Sequence, residues 1–177
     1  MDKFRNYTQK SFQKSMSTII TGAGLILFGV IMLLFGSTFT SLTLILLGLY
    51  ILLQISFQMA KAHKNIKKWT SNKELDLIIT DFQKAAPIAD DSARLGSVYI
   101  YRRDQCEVIP YSSILQGEFV DKKANLPAGA SGGILLKLKG NKKCLMCAFY
   151  GRTNKEHANA ILQQLHHKNP QIQISSN

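Results

Sequence analysis

Residues 15–60 contain no Asp, Glu, Lys, Arg or His, although 19% of the 177-residue chain is charged. Charge is segregated here, not scarce, and an uncharged run of this length is a membrane signature. The same gap counts against a transport path built by this chain alone, because such paths mark themselves with ionisable side chains inside their spans. The polar candidates in the run are Thr18, Thr21, Thr43 and Gln54.

Cysteine is sparse as well, three residues in all, at Cys106, Cys144 and Cys147. Cys144-Leu145-Met146-Cys147 has thiol-pair spacing, but no second pair completes a zinc or iron–sulfur signature. In a strand, residues three apart point to opposite faces. Free, buried or half-buried thiols in a reducing compartment are therefore expected. Catalytic patterns are missing too. Ser92, Ser97, Ser112, Ser113 and Ser131 stand in no nucleophile elbow, and His63 and His157 have no carboxylate or Cys partner at motif spacing. His166 and His167 are adjacent on a helix, about 100° apart, which makes a poor chelate; they suit the negative end of a helix better. No catalytic, cofactor or metal-ligating residue is assigned, and the expectation is a protein without enzyme activity.

What is present starts with the apolar run. A bilayer core takes roughly 20 apolar residues as a helix, so residues 15–60 suit two spans, near 16–35 and 41–59. Gly36-Ser37-Thr38-Phe39-Thr40-Ser41 supplies small and polar residues for the turn between them. Gly22, Gly24, Gly29 and Gly48 are placed to let two helices approach closely. No Gly-x-x-x-Gly pair falls within one helix. A cleaved signal peptide is the rival reading of the first segment, but a second apolar segment follows it directly, with no small-x-small site before a polar region.

The net charge of +11 would suggest nucleic acid until it is mapped. Residues 1–70 carry eight basic side chains and one acidic one, and residues 71–177 carry fourteen and ten. Most of the excess flanks the apolar run. Lys3, Arg5, Lys10 and Lys14 precede it, and Lys61, Lys64, Lys67 and Lys68 follow it. Positive flanks stay on the cytoplasmic side, so both termini are expected inside a plasma membrane, with residues 37–40 at the outer face. The four lysines from Lys61 to Lys68 have two readings, the topology signal alone or contact with anionic headgroups of the inner leaflet. Trp69 is expected at headgroup depth. Residues 1–14, with Phe4, Tyr7 and Phe12, read either as a weakly amphipathic interfacial helix or as a frayed end.

Beyond a basic linker over 61–70, residues 71–177 are enough for one modest core. Ser71-Asn72-Lys73-Glu74 has the form of a capping box, and Leu75, Ile78, Ile79 and Phe82 make one helical face, predicting a helix over 73–86 that Pro87 ends. Strand-type residues then fill 95–102 and 106–111 as a hairpin, followed by strands at 116–122, 134–139 and 143–150. Gly140-Asn141 tolerates the positive φ of a tight turn. Residues 123–133, with Pro127 and three glycines, read as a loop. Thr153-Asn154-Lys155-Glu156 caps a last helix over 154–167 with Ala158, Ile161, Leu162 and Leu165 inward, and Asn169-Pro170 stops it. The expected fold is a two-helix transmembrane hairpin followed by a small α+β cytoplasmic domain of helix, about five antiparallel strands and helix.

The succession Gly96-Ser97-Val98-Tyr99-Ile100-Tyr101, then Val108-Ile109-Pro110-Tyr111-Ser112-Ser113-Ile114, then two strands and a helix ending Lys168-Asn169-Pro170, resembles bacterial small membrane proteins with a cytoplasmic pleckstrin-homology-like domain. The resemblance covers residues 95–172 and departs from a full barrel of that type in showing about five strands against seven. It implies a binding or scaffolding module with no catalytic residues to carry over. On this reading the protein is a membrane-anchored interaction module for an unidentified protein partner, not for nucleic acid. Lys61, Lys64, Lys67 and Lys68 would meet lipid, and the strand edge at 116–122 with the loop residues Lys122, Lys123, Gly129, Gly132 and Gly133 would meet the partner. The alternative is an accessory subunit of a membrane transporter or another membrane complex.

Overall fold

In a computed structural model, all residues are described except 1, 72, 122–125, 128, 151–153, 176 and 177. The chain divides into two units. The first, Met1–Ser71 with the Asp104–Cys106 turn, is built on helices α1 (Asp2–Leu34) and α2 (Thr38–Thr70), of 33 residues each. At the rise of an α-helix each is about 50 Å long, well beyond the roughly 30 Å of a bilayer core. The turn between them takes three residues, not six. Gly36 at φ +80 reverses the chain, and residues 38–41 already belong to α2.

The two helices meet along small residues. Those buried on α2 are Ser41, Gly48, Ile55 and Ala62, each seven after the last, and Gly22 and Gly29, also seven apart, are buried on α1. A seven-residue repeat keeps one stripe turned to the partner helix along its whole length, and the absence of bulk lets the backbones close up. A Cβ added at Gly48 would stand 2.6 Å from Ile26 Cγ1 and 2.7 Å from the Gly22 carbonyl oxygen. Gly24 differs, with nothing within 4 Å of such a Cβ, so three of the four glycines lie on the seam and one faces outward. Around the seam the large apolar side chains point away from the pair, Leu34, Phe35, Phe39 and Phe57 among them.

The seam outlasts the apolar run. Phe4 and Tyr7 are buried near the start of α1 and Ala62 near the end of α2, and the Phe4 and Trp69 rings meet edge to face with centroids 4.7 Å apart. The Trp69 Nε1–H donates to the Cys106 carbonyl at 3.1 Å, and Asn65 Nδ2 donates to the Gln105 carbonyl at 2.9 Å. The N-terminal residues are thus neither frayed nor laid out as a separate helix; they are the first turns of α1, with the Phe12 side chain outside the described residues.

The second unit, Asn72–Arg103 with Glu107–Asn177, holds helix α3 (Leu75–Lys84), strands β1 (Ala86–Ile88), β2 (Ala93–Leu95), β3 (Tyr99–Arg102), β4 (Glu107–Pro110), β5 (Ile114–Asp121), β6 (Gly132–Leu138) and β7 (Lys142–Phe149), helix α4 (Asn154–Lys168) and strand β8 (Gln173–Ser175). The strands form two four-stranded sheets, ordered β1-β2-β3-β4 and β7-β6-β5-β8. Every pairing is antiparallel except β5 with β8. One core joins them: Leu95, Ile100 and Ile109 from the first sheet, Phe119, Ile134 and Leu136 from the second, and Ala158, Ile161, Leu162 and Leu165 from α4. Those four helix residues sit at helical spacing on one face, as the sequence pattern requires.

Several expectations change. Among the described residues eight strands replace about five, because β1, β2 and β8 are three residues long and too short to show alternation. The Ser71 capping box does not form: Ser71 closes α2, and α3 begins after Glu74, which makes no side-chain cap. Thr153, the expected cap of α4, lies outside the described residues. The Gly140-Asn141 turn is as expected, with φ of +78 and +58.

Candidate functional site

Three places gather polar or exposed groups, and each follows from the local chain. The first is the cationic end of α2. Lys61, Lys64, Lys67 and Lys68 are all exposed, because the buried positions of this segment are taken by Ala62 and, in part, by Asn65, Ile66 and Trp69. Lys61, Lys64 and Lys68 follow i, i+3, i+7 and share a face.

The second is a buried carboxylate. Asp81 on α3 accepts the backbone N–H groups of Ser97 at 2.6 Å and of Val98 and Tyr99 at 3.2 Å. The Tyr101 hydroxyl lies 2.9 Å from the same carboxylate and 2.8 Å from the Ile78 carbonyl, so its one proton serves two acceptors. Only glycine fits at Gly96, where a Cβ would fall 1.9 Å from Asp81 Oδ2. Tyr99 donates to Glu74 at 2.8 Å, and burial, with Glu74 and Asp81 nearby, pushes its phenol up to about 12. Burial raises Tyr101 and Tyr111 further still. Lys168 Nζ and the Tyr111 hydroxyl both donate to the Gly96 carbonyl, at 2.6 and 3.1 Å. Every group here is answered by another part of the same fold, so the cluster fastens α3 and the end of α4 to the β2–β3 turn. Sequence reading missed Asp81 because its role depends on a turn sixteen residues away.

The third is the outer face of the second sheet, where Gln116, Glu118, Leu135, Lys137 and Lys143 line a shallow pocket of about 90 Å³. It adjoins β7, which among the described residues pairs only with β6. The edge expected at 116–122 is covered over its first half: β5 lies between β6 and β8, with Gln116 to Glu118 paired to Gln173 to Ser175 of the segment read as a tail. Lys122 and Lys123 lie outside the described residues. Gly132 and Gly133 are buried in β6 rather than in the loop, closely approached by Phe119 and Leu145. Gly129, at φ +80, does belong to the loop.

The three cysteines are free and buried or half-buried, as expected, but Cys144 and Cys147 do not point to opposite faces. Leu136 faces Cys144 and Ile134 faces Cys147, with a register shift between Ile134 and Leu135. The extra residue on β7 restores both thiols to the core face, against the period-two rule. Cys147 is buried, which pushes its thiol up to about 12; a protonated thiol is a poor nucleophile and a poor metal ligand. Among the described residues no group of three His, Cys, Asp or Glu side chains is placed to hold a metal ion. His166 Nδ1 lies 3.0 Å from the Ile172 carbonyl.

No protein-family model, no curated protein and no solved structure matches this chain.

Proposed function

We propose that this protein is a membrane-anchored, non-catalytic interaction module, with α1 and α2 crossing the plasma membrane as a hairpin and the sheet domain in the cytoplasm. One observation carries the anchor. Only 11% of the first apolar stretch and 17% of the second are buried, whereas the core helix of a soluble protein is mostly buried. Within the apolar run the packing is inside out, mostly small residues at the seam and large apolar ones outward, which supports lipid surroundings. The lysine flanks favour both termini on the cytoplasmic side.

Seven antiparallel strands in two sheets followed by a helix support the pleckstrin-homology-like reading better than the five strands evident in the sequence. The binding surface moves from β5 to β7. An eight-residue edge strand offers unpaired backbone groups to an added strand, and Lys142 and Lys143 at its start favour an acidic partner segment. A photoactivatable residue at Lys143 in native membranes should capture a partner, and one at Val98, exposed in the β2–β3 turn, should not. The same capture pattern from both positions would place the surface elsewhere.

A further inference from the structure

The helical pair does not end where its apolar surface ends. Trp69 lies nine residues beyond Ala60, and Phe4 eleven before Ser15, so both rings stand about 15 Å of helix past the uncharged run. Over that distance the seam persists, with Tyr7 and Ala62 buried, and it closes on the Phe4–Trp69 ring pair. Trp69 does not need a headgroup or a water for its indole N–H, because the Cys106 carbonyl takes it.

Resting on the membrane reading above, we infer that residues 2–14 and 61–70 form a two-helix stalk in water, locked at its far end by Phe4 and Trp69, which holds that end off the lipid and leaves Lys61 and Lys64 as the headgroup contacts. Lys68 lies seven residues after Lys61, about 10 Å further along the axis. Screening in physiological salt acts over about 8 Å, so attraction to an anionic surface fades along the series from Lys61 to Lys68. The four lysines are not one equivalent cluster. The near pair serves lipid, and the far pair faces solvent beside Trp69.

Trp69 is the chain's single tryptophan, so its fluorescence reports directly. The full chain is reconstituted in vesicles of mixed neutral and anionic phospholipid that carry a nitroxide-labelled headgroup. The reference is a Phe57→Trp, Trp69→Phe variant, whose indole sits where an exposed Phe57 marks the rim of the apolar surface. Expected are strong quenching of the reference and loss of that quenching for Trp69 in the native chain. Equal quenching of both overturns the stalk while leaving the anchor intact. No quenching of either overturns the anchor, and the stalk with it. In the same vesicles Lys61→Gln should weaken the salt-sensitive protection of the neighbouring backbone from proteolysis more than Lys68→Gln does; equal effects contradict the graded contact.

Discussion

The helix pair and the sheet domain solve the same problem with opposite arrangements. In the sheet domain the large apolar side chains, such as Phe82, Ile100, Leu136 and Leu162, are fully or almost fully buried, and the hydrophobic effect of water holds them there. Within the uncharged run of the helix pair the buried positions are Gly22, Gly29, Ser41, Gly48 and Ile55, while side chains such as Leu34, Phe35, Phe39 and Phe57 are thrown outward. Lipid gives no reward for hiding an apolar side chain, so close backbone approach is what remains to hold two helices together. On the proposed membrane reading the two regions are built for different solvents, and substitutions should act on one without disturbing the other.

The largest separate effect is expected at Asp81. Asp81→Ala leaves three backbone N–H groups of the β2–β3 turn without their acceptor, a loss on the order of 3 kcal/mol. Thermal unfolding of the sheet domain should move down while the helicity of the pair in detergent stays unchanged. A parallel loss of helicity would mean that the two regions melt as one. Gly48→Leu should do the reverse. The new side chain would meet Ile26 and the Gly22 backbone, and overpacking of this kind costs about 1–3 kcal/mol. Proximity between labels on α1 and α2 should fall, with the unfolding temperature of the sheet domain held.

The pH prediction concerns the sheet domain alone. Cys147 is raised from 9.0 and Tyr99 from 10.0, both to about 12. Above pH 9 the unfolded chain gives up these protons first, so it binds fewer than the folded chain and stability falls as pH rises. The stabilising contribution is complete below about pH 9 and is lost by about pH 12, with the thiol contributing from the lower end and the phenol from pH 10. A fluorescence or circular-dichroism titration should show the sheet domain unfolding across that window. Cys147→Val should flatten the lower part of the curve.

The sequence shows elements that carry their own periodicity. The apolar run, the stripe of Ile78 and Phe82, the α4 face from Ala158 to Leu165 and the Gly140-Asn141 turn can all be read from local spacing. Elements defined by what they touch could not be read this way. Strands of three residues, such as β8, exist because β5 offers them a partner, and the β7 bulge shows only in the pairing, where Ile134 faces Cys147 and Leu135 faces Leu145. The heptad of Ser41, Gly48, Ile55 and Ala62 was on the page, but glycine, serine, isoleucine and alanine form no stripe on a hydrophobicity scale; what they share is facing the other helix. Asp81 escapes a reading by local spacing for the same reason, since its partners lie in the β2–β3 turn.

The most direct test of the two-solvent account is the accessibility of one residue from each region in sealed cells. Ser37 lies in the turn between α1 and α2, and Val98 is exposed in the sheet domain. Cys106 and Cys147 are buried, and Cys144→Ser quiets the remaining natural thiol. With a membrane-impermeant thiol reagent, Ser37→Cys should label in intact cells and Val98→Cys only after the membrane is opened. Equal labelling of the two positions, before and after opening, would contradict the account.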